Sequence, residues 1–341
     1  MPIEILIVDD SHFFRKRLCE LFEGHPDIRV VATAVNGEDA LVKVEAHRPD
    51  LITMDYEMPV MDGVTAVRRI MDRYPTPILM ISALTYKGAS VTLEALEAGA
   101  LDFVAKLGSD GSNPFLNKKF LCEQVLHLVS SSRTRPVFTL PTSQKIKIDV
   151  KQTSCELVVI GASTGGPVAV QELLSKLPGD FPVPIIVAIH MPENFTQAYA
   201  NRLARNCNID VKEAEDQDQL IPGRALIAPG GKLLKICKGH MGFVTLERKK
   251  KEFNFSPSVD YLFESAASSY SNKVLAIVLT GMGSDGRIGT RKLHLKEATI
   301  WAQDEKSSVI YGMPGAIAKD KLANQVLNID EMVLGLKSLN G

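Results

Sequence analysis

Short apolar runs alternate with amphipathic segments over the first 130 residues of the chain. Residues 5–8 form a continuous apolar run of the kind found in central parallel strands, and a helical pattern follows. The alternation continues with apolar runs at 30–34, 51–54, 78–81 and 103–105, and the last helical pattern covers 117–129. Five strand-helix repeats predict an open, doubly wound parallel sheet.

A second series of apolar runs lies in the other half of the chain. Runs at 157–160, 184–189 and 274–279 are again typical of buried parallel strands, and a further strand is predicted at 298–300. Residues 130–152 between the two halves are polar, contain two prolines and show no sustained apolar period, as is typical of a linker. The pattern therefore predicts two α/β domains, at 1–129 and 153–341, joined by a linker at 130–152.

A glycine-rich turn follows the first apolar run of the second half. Gly161, Gly165 and Gly166 free the backbone there, Pro167 suits a first helical turn, and Ser163 lies between them. The order Gly-x-Ser-x-Gly fits the turn that presents a nucleophilic serine above a sheet. A turn that binds phosphate or merely packs is the alternative. Nucleotide binding is weakened because neither G-x-G-x-x-G nor G-x-x-x-x-G-K-[ST] occurs.

Two further strand ends offer partners for this serine. His190 follows the run at 184–189, and Asp285 lies in the glycine-rich turn after 274–279. If all three strands share one sheet, Ser163 attacks a carbonyl, His190 takes its proton and Asp285 orients the imidazole. Taken singly, His190 also fits a structural histidine and Asp285 an Asp-Gly turn.

The strand ends of the first half carry a different set of side chains. Asp9, Asp10, Asp55, Ser82 and Lys106 follow or end successive predicted strands. Because carboxyl ends of parallel strands meet at one edge, the three carboxylates repel one another unless a cation such as Mg²⁺ shares their charge. Transfer of a phosphoryl group to one carboxylate needs that cation, a lysine and a hydroxyl.

Composition limits the remaining classes of function. The chain has 341 residues, 45% of them hydrophobic, and its 39 basic and 40 acidic residues give a net charge of −1. This balance gives no reason to expect nucleic-acid binding or membrane insertion. Five scattered cysteines without a C-x-x-C pair suggest neither a disulfide framework nor a zinc site. Without a signal peptide or a long apolar run, we expect a soluble, cytoplasmic protein.

Motifs in the first half resemble the receiver domain of two-component response regulators. They are Val8-Asp9-Asp10-Ser11, Met54-Asp55-x-x-Met58-Pro59-x-Met61-Asp62-Gly63, Ser82-Ala83 and Lys106. The resemblance covers about the first 125 residues and implies a flavodoxin-like fold in which Asp55 accepts phosphate from a histidine kinase. It assigns Mg²⁺ to Asp10, Asp55 and the Glu57 carbonyl with Asp9 in support, and phosphate sensing to Ser82 and Lys106.

Motifs in the second half resemble the methylesterase domain of the CheB family of bacterial chemotaxis, from about residue 155 to the C-terminus. They are Gly161-Ala162-Ser163-Thr164-Gly165-Gly166-Pro167, His190-Met191-Pro192, Phe195-Thr196, Ala228-Pro229-Gly230-Gly231, Pro257-Ser258-Val259-Asp260, Leu279-Thr280-Gly281-Met282-Gly283-x-Asp285-Gly286, Ala302-Gln303-Asp304 and Gly312-Met313-Pro314. The resemblance implies a Rossmann-like esterase domain that hydrolyses glutamate γ-methyl esters on chemotaxis receptors without a cofactor.

The same resemblance implies roles for individual residues and for regulation. Ser163, His190 and Asp285 fall on the nucleophile, base and orienting acid, with the backbones of Thr164 and Met282 in support. Many members also deamidate receptor glutamines. The two-domain order implies that phosphorylation of Asp55 controls access to the serine.

Three features depart from the family patterns. Leu107 replaces the proline that usually follows the receiver lysine, and Ile189 replaces the glutamine that usually precedes the histidine. His294-Leu295-Lys296-Glu297 stands where the methylesterase family usually has a glycine-rich turn before the strand at 298–300. The change at Ile189 bears on how the histidine is supported and on deamidation.

A response regulator acting as a non-catalytic receptor-binding module is the rival reading. A DNA-binding output would predict a basic helix-turn-helix, and no such pattern is visible at 155–341.

Overall fold

In a computed structural model, the described residues are 2–83, 85–106, 118–133, 155–240 and 242–339. The chain divides into two compact units, Met1–Arg135 and Pro136–Gly341. Each unit is built on a parallel sheet with helices packed against it. No helix within the described ranges is both long enough and apolar enough to span a bilayer.

The first unit alternates strands with helices throughout. Its elements are β1 Ile3–Val8, α1 His12–Phe22, β2 Ile28–Ala34, α2 Gly37–His47, β3 Leu51–Asp55, α3 Gly63–Arg73, β4 Ile78–Ser82, α4 Tyr86–Glu97, β5 Asp102–Ala105 and α5 Lys118–Arg133. The five strands pair in parallel in the order β2-β1-β3-β4-β5. This confirms the predicted doubly wound sheet and its flavodoxin-like order.

Polar side chains fix where the helices of this unit begin. Ser11, Asn36, Asp62 and Thr85 precede α1 to α4, and each accepts a hydrogen bond from a backbone N–H of the first turn. Such caps satisfy donors that have no partner within the helix. Because α1 and α3 follow directly on the loops after β1 and β3, these caps also fix the loops that carry the acidic residues.

Helix α5 extends further than the sequence predicts. It ends at Arg133, whereas the helical pattern predicts an end at residue 129. The hydroxyl groups of Ser130 and Ser131 donate to the carbonyls of His127 and Leu128, so these polar residues continue the helix. The first four residues of the predicted linker are therefore helical. The remaining predicted linker residues, 134–152, and Leu107 lie outside the described residues.

The second unit contains a larger sheet and a separate hairpin. Its strands are β6 Leu157–Ala162, β7 Ile185–Ile189, β8 Asp210–Glu213, β9 Arg224–Ile227, β10 Lys232–Cys237, β11 Phe243–Arg248, β12 Val274–Val278, β13 Thr299–Gln303 and β14 Gln325–Leu327. Its helices are α6 Gly166–Ser175, α7 Phe195–Asn206, α8 Val259–Tyr270, α9 Arg287–Leu295, α10 Met313–Lys319 and α11 Ile329–Lys337, with a short 3-10 helix at Ser271–Lys273.

Seven strands of this unit pair in parallel in the order β14-β13-β12-β6-β7-β9-β8, and β10 and β11 form an antiparallel hairpin. The predicted second parallel sheet is therefore confirmed. In this order β6 lies between β12 and β7. The chain runs from β6 toward one edge of the sheet through β7, β8 and β9, and later crosses to the other side of β6 at β12. A ligand site is expected beyond the carboxyl ends of the strands at such a reversal. Every residue of β6, β7 and β12 is buried, which makes this centre a rigid support.

Candidate active site

Ser163 lies immediately after β6 in a turn whose shape depends on glycine. Its backbone N–H donates to the carbonyl of Thr280 at 3.0 Å, which joins the turn to the loop after β12. Gly165 has a φ of 74°, a conformation that favours glycine. A Cβ on Gly281 would lie 2.8 Å from the Cβ of Ser163. The two loops therefore approach each other more closely than a side chain on Gly281 would permit.

Three side chains from adjacent strand ends form a hydrogen-bonded relay. His190 follows β7, and its Nδ1 lies 3.1 Å from the Oγ of Ser163. Its Nε2 lies 2.8 Å from Oδ2 of Asp285, in the turn before α9. With the proton on Nε2, that nitrogen donates to Asp285, and Nδ1 accepts from the serine hydroxyl. The side chains of His190 and Asp285 are 5% and 8% exposed, so the relay is largely shielded from water.

The carboxylate of Asp285 is held at the N-terminus of α8. Its Oδ2 accepts from the N–H of Val259 at 2.8 Å, and its Oδ1 accepts from the N–H groups of Asp260 and Gly286, each at 3.0 Å. The hydroxyl of Ser258 donates to Oδ1 at 3.2 Å. Burial alone would raise the pKa of Asp285, but the hydrogen bond and charge of His190 and the α8 N–H groups hold it below the ordinary value.

A second carboxylate lies beside this one with the opposite tendency. Burial and the nearby charge of Asp285 raise the pKa of Asp260 to about 6, against the opposing hydrogen bond from the Gly289 N–H. Oδ1 of Asp260 accepts that hydrogen bond at 2.7 Å. Asp260 therefore ties the start of α8 to α9 while its neighbour Asp285 faces the histidine.

The backbone around the serine supplies N–H groups of the kind that bind an oxyanion. Among the described residues, no acceptor takes the N–H of Thr164 or of Met282. The Thr164 carbonyl accepts from the hydroxyl of Thr280 at 2.9 Å, and the Thr280 N–H donates to Gln303 at 2.7 Å. These hydrogen bonds hold both loops in place. The N–H groups of Thr164 and Met282 are therefore oriented before an oxyanion forms, as stabilisation of a developing negative charge requires.

Ser258 is a site residue to which the sequence analysis assigned no role. The sequence signal was present, because a serine directly before an apolar helical segment is a typical N-cap. Its hydroxyl accepts from the N–H of Tyr261 at the start of α8 and also contacts Asp285. The second contact joins residues 27 positions apart and could not be read from the local pattern.

The acidic residues of the first unit also converge. Oxygen atoms of Asp9, Asp10 and Asp55 lie within 4.8 Å of one another. The Nζ of Lys106 lies 2.9 Å from Asp9 and 2.7 Å from Asp55, so one cation faces three carboxylates. A hard divalent cation, bound through oxygen ligands, would balance the remaining negative charge. The donor set therefore fits Mg²⁺.

The charges of this cluster are reflected in its protonation. Burial raises the pKa of Asp55 to about 6, with Asp9 adding to the rise and Lys106 opposing it. Burial lowers the pKa of Lys106, but the hydrogen bonds and charges of Asp55 and Asp9 outweigh it and raise the pKa above its ordinary value. Lys106 thus stays charged against an acidic cluster that burial makes unstable without a further cation.

The remaining predicted residues of this cluster take other partners. The Oγ of Ser82 is buried and accepts from the hydroxyl of Thr92 in α4 at 2.7 Å. The side chain of Glu57 is exposed and pairs with Lys87 at 3.5 Å. Ser82 is thus connected to the middle of α4, while Lys106 contacts the acidic cluster directly.

Ile189 is fully buried at the end of β7. Its Cδ1 lies 3.2 Å from where a Cβ on Gly166 would lie, at the first residue of α6. The substitution of isoleucine for the usual glutamine therefore places an apolar contact beneath the serine turn.

Comparisons with known proteins agree with both halves of this description. Residues 158–336 match the CheB methylesterase family, and residues 5–112 match the response regulator receiver domain. A protein-glutamate methylesterase/protein-glutamine glutaminase from Pseudomonas putida KT2440 is 49% identical, covering 97% of this chain and 98% of that protein. One from Pseudomonas aeruginosa PAO1 is 46% identical with the same coverage.

A solved structure extends the agreement to the fold of the second unit. The CheB methylesterase catalytic domain of Thermotoga maritima is 38% identical and superposes with a TM-score of 0.53, covering 55% of this chain and all of that domain. A family match over more than half of the chain and high identity over nearly its full length point to the same conclusion. The chain belongs to the CheB methylesterase family and carries a response regulator receiver domain.

Proposed function

We propose that this protein hydrolyses γ-methyl esters of glutamate residues on chemotaxis receptors, under the control of phosphorylation at Asp55. The observation that carries the proposal is the relay from Ser163 through His190 to Asp285, with distances of 3.1 and 2.8 Å. The relatives named protein-glutamate methylesterase/protein-glutamine glutaminase support the choice of substrate. A module that only binds receptors would have no use for such a relay.

The first half of the reaction forms an acyl-enzyme. The Oγ of Ser163 attacks the ester carbonyl while its proton passes to Nδ1 of His190. The resulting imidazolium is stabilised by Asp285, whose own hydrogen bonds keep it ionised. Collapse of the tetrahedral intermediate breaks the bond to the methoxy oxygen, which takes the proton from His190 and leaves as methanol.

The second half restores the enzyme. His190 removes a proton from water, the hydroxide attacks the acyl carbonyl, and Ser163 regains its proton as the glutamate carboxylate leaves. The Thr164 and Met282 N–H groups bind the oxyanion in both halves, since other described residues do not occupy them. No cofactor takes part in these steps.

The same steps accept an amide in place of the ester. Attack on a receptor glutamine would release ammonia in place of methanol and yield the same glutamate product. We infer that the protein is also a protein-glutamine glutaminase, as its relatives are named. The buried Ile189 contacts the serine turn from below and leaves the three relay residues in place.

For the receiver, we propose that a histidine kinase supplies the phosphate and that Asp55 accepts it. Asp9, Asp10, Asp55 and the carbonyl of Glu57 would hold Mg²⁺, which neutralises phosphate oxygens when bound. Lys106, already 2.7 Å from Asp55, would bind a phosphate oxygen. Ser82 would sense the phosphate and transmit its presence to α4 through the hydrogen bond with Thr92. Phosphorylation then raises the esterase activity of the second unit.

We propose that the domain at residues 1–129 accepts the phosphate and that the domain at 153–341 carries out hydrolysis. All five cysteines carry free thiols, which suits a reducing compartment, and we propose the cytoplasm. The chemistry needs neither nucleic acid nor insertion into a membrane.

The test is methanol release from methylated receptor by wild-type protein and by Ser163→Ala. The variant lacks the attacking oxygen, so we expect a loss of about a million-fold, to the level of background. The control is Ser175→Ala, which removes an exposed hydroxyl at the end of α6. Release of methanol by Ser163→Ala at the wild-type rate would refute the proposal.

A further inference from the structure

We infer that Phe255 is a positioning residue for His190, an inference that rests on the proposed function. The two rings are stacked, with centroids 4.0 Å apart and planes inclined by 12°. Phe255 belongs to the segment between β11 and α8 and lies 65 positions from His190 in the chain. It makes no hydrogen bond to the relay, so its effect acts through the face of the imidazole.

The hydrogen bonds of His190 leave one motion of the ring uncontrolled. Nδ1 faces Ser163 and Nε2 faces Asp285, so both contacts lie in the ring plane. Two in-plane contacts fix the ring along the line between its partners but resist tilting about that line only weakly. The Phe255 ring covers one face and blocks that tilt.

Stacking also favours the protonated intermediate. When His190 takes the serine proton, its ring becomes a cation within about 6 Å of an aromatic face, the range in which a cation–π attraction acts. The His190 side chain is only 5% exposed, so water compensates little for a lost ring. The attraction is stronger for the charged ring than for the neutral one, so it lowers the barrier more than it strengthens ground-state binding.

The segment that carries Phe255 is anchored on both sides. The rings of Phe253 and Tyr261 are in edge contact at 5.1 Å, and the carbonyl of Ser256 accepts from the Gly231 N–H at 3.0 Å. Two residues later, Ser258 contacts Asp285. One short segment therefore reaches both the face of the histidine and the carboxylate that orients it.

The test compares Phe255→Leu with Phe255→Tyr, in full-length protein. Leucine keeps an apolar side chain but lacks the aromatic face, and tyrosine keeps the face. For Phe255→Leu we expect kcat to fall by roughly three- to thirtyfold with KM within about twofold of wild type. Phe255→Tyr should retain the wild-type kcat. The control is Phe243→Leu, which removes a half-buried ring from β11, outside the segment that carries Phe255.

A second readout does not depend on the natural substrate. Phenylmethanesulfonyl fluoride labels an activated serine: the oxygen bonds to sulfur, the S–F bond breaks, fluoride leaves, and the proton passes to the histidine. Labelling of Ser163 should slow in Phe255→Leu by the same factor as kcat. If wild-type protein is labelled but releases no methanol, the proposed function fails while labelling still tests Phe255. Equal labelling in wild type and Phe255→Leu, or equal losses in Phe255→Leu and Phe243→Leu, would overturn the inference.

Discussion

Asp55 and Asp285 are both buried carboxylates near the carboxyl ends of parallel strands, but their surroundings differ in kind. Asp55 shares its site with Asp9 and Asp10 and pairs with Lys106, while the Arg15 guanidinium donates to the backbone carbonyls of Asp9 and Asp10. Asp285 accepts hydrogen bonds from backbone N–H groups and from His190. Burial raises the pKa of Asp55 to about 6, whereas hydrogen bonds offset burial and hold the pKa of Asp285 below its usual value.

In the proposed function, the difference separates a carboxylate that accepts a phosphoryl group from one that orients a histidine. Three carboxylates around Lys106 leave an excess of negative charge, which favours the binding of a divalent cation. Asp285 accepts hydrogen bonds from His190 and from backbone N–H groups whose positions the fold fixes, and these favour its ionised form. Similar positions on a parallel sheet thus give opposite chemistry, depending on whether neighbours contribute charge or N–H groups.

Of the two carboxylates, the orienting one should have the larger effect when it is replaced. Asp285→Asn leaves one oxygen where two are used, because Oδ2 accepts from His190 and the Val259 N–H while Oδ1 accepts from other backbone N–H groups. We expect kcat for methanol release to fall by about 10⁴-fold, as when a triad acid loses its charge and fixes the wrong tautomer.

The control is Asp304→Asn, which changes a carboxylate beyond the end of β13 that contacts Ser307 and is not bonded to His190. Its kcat should stay within about twofold of wild type. If Asp285→Asn and Asp304→Asn lost the same activity, the role given to the hydrogen bonds of Asp285 would be wrong. Any negative charge at this edge of the sheet would then matter as much as Asp285.

The reacting carboxylate should matter only for stimulation. In Asp55→Asn, added acetyl phosphate and Mg²⁺ have no carboxylate to modify, so the increase in methanol release should vanish. For wild type we expect an increase of about 5- to 150-fold, the usual range of coupling between two sites. Chelation of Mg²⁺ should abolish it as well.

Asp72→Asn provides the matched charge change on an exposed position of α3. It should be stimulated like wild type. Full stimulation of Asp55→Asn would mean that phosphorylation acts elsewhere or that the phosphodonor acts directly on the second unit.

The sequence predicts the parts of both sites that follow directly on a strand. Apolar runs locate β1, β3, β6, β7 and β12, and the polar residue after each run can be named without a structure. Once strands are parallel, their carboxyl ends must meet, which is why the relay members were predicted together. The distances between them, and the use of Nδ1 rather than Nε2 toward Ser163, needed coordinates.

Contacts from outside the central strands were not predictable in this way. The start of α8 reaches Asp285 through backbone N–H groups, which every residue possesses and no pattern distinguishes. The stacking of Phe255 on His190 depends on the path of an irregular segment after the β10-β11 hairpin. Helix α5 continues past its predicted end through Ser130 and Ser131, whose hydroxyls donate to helix carbonyls, although the propensity of serine disfavours a helix there.

The smallest expected effect is a change in stability when Asp260, the acid beside Asp285 in the second unit, is replaced. The pKa of Asp260 is raised from 3.8 to about 6, chiefly by burial, so between these values the folded state binds more protons than the unfolded state. Stability therefore falls as pH rises from about 4 to 6 and stays reduced above 6. Asp260→Asn keeps an oxygen for the Gly289 N–H and removes the charge.

We accordingly expect Asp260→Asn to be more stable than wild type by about 1 kcal/mol at pH 8, after allowance for partial exposure, and equal to it near pH 4. The single tryptophan, Trp301, is buried in β13, so its fluorescence in urea follows the second unit alone. Asp180→Asn on the surface controls for net charge. A variant less stable than wild type at pH 8 would show that the charge of Asp260 supports the α8 terminus, and that neutral donors alone do not hold Asp285.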